Sequence, residues 1–142
     1  MESGINMKKI QLKIELADTP EKQERGLMFR EALNEDCGML FKFTKPQVLK
    51  FWGLNTYIPL DIAFVSPENK IIKIDRVKPF SLKTVGSDHD CLMAIEASDG
   101  FFKSKGIKVG EKIAIRKIDD RDVVIFGENP DEEEIELKDI MK

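Results

Sequence analysis

The sequence predicts a single, mainly β domain: an antiparallel sandwich or barrel-like sheet with one or two short helices. Three observations predict it. The 142 residues 1–142 suit one domain with one substantial core. The segment MKKIQLKIEL, Met7 to Leu16, alternates Ile10, Leu12, Ile14 and Leu16 with Gln11, Lys13 and Glu15, which is the period of a half-buried strand. Seven further short apolar runs follow, each bounded by Gly, Pro, Asn, Asp or Ser, the spacing of an all-β sandwich or barrel.

The first strand opens the sheet. ADTPEKQERGLMFR then changes period, with Thr19 placed to cap a helix, Pro20 suited to its first position, and Glu21 and Glu24 complementing the positive end of its dipole. This helix is expected to end near Gly26 or run on to Phe29, and Glu21 and Arg25 are spaced to pair across one turn. After the loop EALNED, the runs CGMLFKF, VLKFW, IAFV, KIIKIDRV, CLMAIEA, EKIAIRKI and DVVIFG read as strands. SPENK, Ser66 to Lys70, reads as a tight hairpin, because Pro67 presets the turn and Asn69 tolerates a left-handed backbone. SDGFFKSKGIKVGE reads as one or two helical turns, capped by Ser98 or Asp99, ended by Gly106, and pinned to the sheet by Phe101, Phe102 and Ile107. The acidic C-terminus, residues 131–142, suits either a solvated tail or an edge strand in which Ile135 and Leu137 alternate with charge.

Composition narrows the function. The chain is 42% apolar and 35% charged, with a net charge of -3 and a pI near 5.3, which argues against a nucleic-acid binder. No run reaches the roughly eighteen apolar residues of a membrane span, and MESGINMKKIQLKIEL has no apolar stretch of signal-peptide length, so a cytoplasmic protein is expected. Cys37 and Cys91 lack metal or redox spacing; two free buried thiols are the expectation and a disulfide the alternative.

Chemistry-bearing residues concentrate in FWGLNTYIPLDIAFV, Phe51 to Val65. Trp52, Asn55, Thr56 and Asp61 offer an aromatic face, an amide, a hydroxyl and a carboxylate, a set that suits a polar ring such as a sugar. The same residues have structural uses: Trp52 in a core, Asn55 and Thr56 bonding their own turn, Pro59 ending it. Asp61 sits in an apolar run, and a buried carboxylate needs a partner. Arg25, Arg30 and Arg76 are available, so a bridge from an arginine to Asp61 is expected; alternatively Arg25 or Arg30 faces a ligand. Glu96 shares one side of its strand with Leu92 and Ala94, and facing a cleft it would pair with Asp61 for acid–base work on a glycosidic bond. His89, between Asp88 and Asp90, reads as part of a solvated loop rather than a metal site. No segment has the form of a nucleophile elbow or a phosphate loop, and no catalytic residue, metal or cofactor is assigned.

Taken in order, ERGLMFREAL, GMLFKF, FWGLNTYIPLDIAFV and GIKVGEKI resemble the family called domain of unknown function 192, over roughly Leu12 to Ile115. The resemblance implies a single β-rich domain with one or two short helices and brings no established activity. Where that family usually has Trp-Met-Lys-Asn-Thr or Trp-Met-Arg-Asn-Thr, this chain has Trp52-Gly53-Leu54-Asn55-Thr56, so the cation before the asparagine is missing. The acidic residue after Gly110 is kept as Glu111, and a turn role is expected for it.

The expected function is therefore a noncatalytic domain for a small polar ligand, a carbohydrate among the candidates. Its candidate site residues are Trp52, Asn55, Thr56, Asp61, Arg25, Arg30 and Glu96. The alternatives are a protein-interaction or assembly module using an edge strand or the acidic tail, and a hydrolase-like enzyme using Asp61 and Glu96. No feature of the sequence fixes an oligomeric state.

Overall fold

A computed structural model describes residues 9–130. In chain order it contains β1 (Gln11–Ala17), α1 (Pro20–Arg25), β2 (Cys37–Phe51), β3 (Leu60–Val65), β4 (Ile71–Val77), β5 (Val85–Ser98), α2 (Phe101–Ser104), β6 (Ile113–Ile118) and β7 (Arg121–Phe126). The strands form one seven-stranded sheet in the order β4-β3-β5-β2-β1-β7-β6. Every neighbouring pair is antiparallel except β1 and β2, which run parallel because α1 and the loop after it carry the chain back to the same end of the sheet.

The sheet curls until its two edges meet at one end. Lys70 bridges Lys112, the Ile71 N–H donates to the Glu111 carbonyl at 2.9 Å, and the Ile113 N–H donates to the Asn69 carbonyl at 2.9 Å. The result is a half-barrel, so of the two predicted architectures the barrel-like sheet is the one adopted. Every strand contributes to the cluster inside the curl, including Leu12, Leu40, Ala63, Ile71, Ile95, Ile113 and Val124, with Phe101, Phe102 and Ile107 closing it as expected. A second cluster, with Leu27, Phe41, Leu49, Leu60, Ile62 and Phe64, covers the other face of β2, β3 and β5. All six residues of β3 are buried, since this strand is covered on both faces.

Local signals place most elements. Pro20 opens α1, and the Thr19 hydroxyl accepts the Lys22 N–H at 3.2 Å. Replacing Thr19 with alanine is expected to cost about 1 kcal/mol, measured as a shift in the denaturant midpoint at constant slope. The helix stops at Gly26, and Arg25 has no ion-pair partner among the described residues, Glu21 included. In the hairpin, Asn69 takes φ 63° and the Ser66 N–H donates to the Lys70 carbonyl.

Two expectations are corrected. CGMLFKF and VLKFW join into the 15-residue β2, because a bulge between Lys42 and Gln47 accommodates Pro46 inside the strand. The N-cap of α2 is Gly100 at φ 81°, with no side-chain cap from Ser98 or Asp99; Asp99 instead pairs with Arg76. Cys37 and Cys91 are both free thiols, Cys91 buried and Cys37 half-buried. No described helix is long and apolar enough to cross a membrane. Residues 131–142, read as tail or edge strand, and the start of the predicted first strand at Met7 lie outside the described residues.

Candidate functional site

A cavity of about 890 Å³ opens between α1, the turn Gly26 to Phe29, the end of β2, the loop after it and the face of β5. α1, with the sequence PEKQER, buries none of its own residues, so it cannot dock through an apolar face. Docking comes from Gln23, whose Nε2 donates to the Ala17 carbonyl at 3.2 Å and the Lys42 carbonyl at 2.9 Å, and from buried Leu27 just beyond. Opposite, the loop Trp52 to Thr56 is stitched to two other segments. The Gly53 N–H donates to Ser81 at 3.0 Å, the Phe80 N–H donates to Gly53 at 2.9 Å, and the Phe29 N–H donates to Asn55 at 2.8 Å.

The walls are aromatic. Phe41, Phe43 and Phe51 line the cavity, and Phe41 and Phe51 meet edge-to-face at 4.9 Å between ring centroids. Trp52 lies at the mouth, 44% exposed. The uncharged polar residues lining the space are Gln23, Gln47, Asn55 and Thr56, and neither the Asn55 side-chain amide nor the Thr56 hydroxyl has a hydrogen-bond partner among the described residues. Exposed charges border it: Glu21, Glu24 and Arg25 on α1 and Lys50 on β2.

Glu96 is the one buried charged residue lining the cavity. On β5 it sits between Met39 of β2 and Ile62 of β3, and it is 5% exposed. Its carboxyl group has no hydrogen bond or ion pair among the described residues, and burial pushes its pKa up to about 8. A buried acid without a partner costs stability, and such groups concentrate at functional sites.

The sequence model of domain of unknown function 192, described as an uncharacterised ACR, matches residues 2–115. The chain belongs to this family. The match starts before Leu12, where the resemblance in the sequence began, and ends at the same residue, Ile115. A crystal structure of a candidate transcription regulator from Sinorhizobium meliloti is similar, with 33% identity, a TM-score of 0.69, and coverage of 71% of this chain and 79% of that one. A protein of unknown function from Novosphingobium aromaticivorans is similar at 35% identity and a TM-score of 0.69, covering 71% of this chain and 73% of that one. No curated protein matches the chain.

Within the domain of unknown function 192 family, the Trp-x-x-Asn-Thr loop of this member forms one wall of the cavity. Asn55 takes φ 57°, a left-handed conformation that asparagine tolerates, so it shapes the turn while presenting its side chain to the cavity. Gly53 is fixed by close approach: a Cβ there would fall 1.8 Å from the Lys78 carbonyl oxygen, leaving no room for the methionine usual in the family. Leu54 supplies no charge, and the cavity's cations come from Arg25 and Lys50 instead.

The structure brings together Trp52, Asn55, Thr56, Arg25 and Glu96, and it separates Asp61 and Arg30 from them. Asp61 pairs in register with Ala97, whereas Ile62 pairs with Glu96, and this one-residue offset sends Asp61 and Glu96 to opposite faces of the sheet. The two carboxyl groups therefore do not flank one cleft. Asp61 accepts the Phe102 N–H at 3.4 Å, so its partner is the start of α2 rather than the expected arginine. Arg30 forks onto Glu15, with Nη2 donating to Oε1 at 2.7 Å, and this pair holds the Glu15 carboxyl below its ordinary range. Asp88 is held low by its hydrogen bond to Lys73 at 2.8 Å, and the described residues contain no cluster of three metal-ligating side chains. Sequence reasoning missed Lys50, Gln47 and the three phenylalanine walls; their alternation in LFKF and VLKFW reads simply as strand.

Proposed function

We propose that the domain binds a small polar ligand that also presents an apolar face, without transforming it. The observation that carries this reading is Glu96, a buried acid with no protein partner, facing an aromatic-walled cavity. Binding sites combine such apolar lining with a few convergent polar groups, here Glu96, Asn55 and Thr56. The volume, about 890 Å³, lies in the range of small-molecule sites. Carbohydrates fit one version of this chemistry, stacking on Trp52 while hydroxyls bond Asn55 and Thr56. The two free thiols suit a reducing compartment, in keeping with a cytoplasmic location.

The test is a ligand screen by NMR with monosaccharides, disaccharides and small metabolites. The expected result is a saturable shift of the Trp52 indole and Asn55 side-chain signals by at least one compound. If no compound, the aromatic probes described below included, shifts either signal, the binding reading fails.

A further inference from the structure

We infer that the polar group selected by the cavity is an ammonium: a small primary amine whose cation docks on Glu96 while its apolar body lies among Phe41, Phe43 and Phe51. This rests on the ligand-binding reading and narrows it to one chemical class. Three features of the cavity converge on it. Glu96 is the only buried charged group among the lining residues, and its carboxyl group lacks any protein donor. A ligand cation supplies what the fold withholds, a charged partner in a poorly solvated place. Phe41, Phe43 and Phe51 line the same cavity, and a cation placed over an aromatic face is attracted by the ring quadrupole where an anion is repelled.

The other charges do not take over this role. On α1, Glu21, Glu24 and Arg25 border the mouth, and on β2 so does Lys50, all of them exposed. The strand neighbours of Glu96, Met39 on β2 and Ile62 on β3, are apolar. Once Glu96 is ionised, at and above about pH 8, a carboxylate or phosphate ligand would meet its charge with no buried cation among the lining residues to offset it. A neutral hydroxyl ligand could accept a hydrogen bond from protonated Glu96, so it is the competitor the experiment must separate.

Protonation gives amine binding a signature. With its pKa pushed up to about 8 by burial, Glu96 holds a proton at neutral pH in the empty protein. An ammonium binds the ionised form, so docking expels that proton from Glu96 to solvent. Affinity should rise about tenfold per pH unit up to about pH 8 and then level off.

Three probes of matched size test this on the full chain: benzylammonium, benzyl alcohol and benzoate, each titrated from pH 6 to 8.5 by NMR. Benzylammonium is expected to shift the Trp52 indole signal and, at pH 8.5, to bind about tenfold or more tightly than either other probe. Calorimetry of the unaltered protein at pH 7, in two buffers of different ionisation enthalpy, should find about one proton released per amine bound. Glu96→Gln should abolish both the pH slope and the preference for the amine. Equal or tighter binding of benzyl alcohol or benzoate overturns the amine inference and leaves the binding reading standing. So does binding of a sugar when benzylammonium is silent, or amine binding without proton release. If neither these probes nor the sugar and metabolite screen shifts the cavity signals, both readings fall.

Discussion

Replacing Glu96 with glutamine is expected to make the protein more stable at neutral and alkaline pH. Glu96 is 5% exposed, its carboxyl group has no partner among the described residues, and burial pushes its pKa from 4.5 to about 8. A carboxyl pKa raised in the folded state means that folding favours the protonated form. The associated stability is fully present below pH 4.5 and is lost progressively until the pH has passed about 8. At about 1.36 kcal/mol for each pH unit between those two values, the loss comes to about 5 kcal/mol. Glutamine has similar shape and no charge at any pH, so the variant lacks this pH dependence. Urea unfolding at pH 5, 7 and 9 checks it: the two proteins should be close at pH 5 and several kcal/mol apart at pH 9, with the same dependence on urea concentration. Parallel stability curves would show that Glu96 is solvated or paired in solution. At the acid end the order of effects reverses, since Glu15, Asp36 and Asp88 are held low by Arg30, Lys13 and Lys73, and protonation weakens those pairs.

The placement of this acid was only half legible in the sequence. The alternation within CLMAIEA separates Ala94 and Glu96 from Met93, Ile95 and Ala97, which face the inside of the curl, but it fails opposite the bulge in β2, where Leu92 packs on the inner cluster and Cys91 joins the outer one. Period-two reasoning stops at the single strand, however. Whether Glu96 shares a face with Asp61 depends on the register between β3 and β5, which is a long-range property. In β3 the pattern offered no guide, because all six residues are buried and alternation disappears when both faces are covered. The same limit hid the parallel pairing of β1 with β2 and the choice of one curled sheet over two packed ones. Signals carried by a few adjacent residues fared better: Thr19-Pro20 placed α1, and Pro67 with Asn69 placed the hairpin. In the site, WGLNT was visible as a loop with polar ends, but its opposing wall comes from Gly26 to Phe29, brought there by α1.

Gly53→Ala is expected to destabilise the fold by about 3 kcal/mol and to weaken any ligand bound at the cavity. The added Cβ would sit 1.8 Å from the Lys78 carbonyl oxygen and 3.2 Å from the Ser81 nitrogen, both backbone atoms that no side-chain rotation can clear. The segment Lys78 to Ser81 must move away, and the bonds from Gly53 to Ser81 and from Phe80 to Gly53 go with it. Trp52, Asn55 and Thr56 are carried by that loop, so the cavity loses its wall as the fold loses stability. Gly86→Ala provides the control, because its nearest non-neighbouring atom would be the Leu49 carbonyl oxygen at 3.4 Å and its φ is not left-handed. There the restricted unfolded chain should make the variant about as stable as the parent or better by about half a kcal/mol. Denaturant midpoints measured side by side decide the matter: opposite signs locate the constraint at the Gly53 contact. A Gly53→Ala protein as stable as Gly86→Ala would mean that the loop adjusts freely, and the wall it forms could not hold Trp52 and Asn55 in place for a ligand.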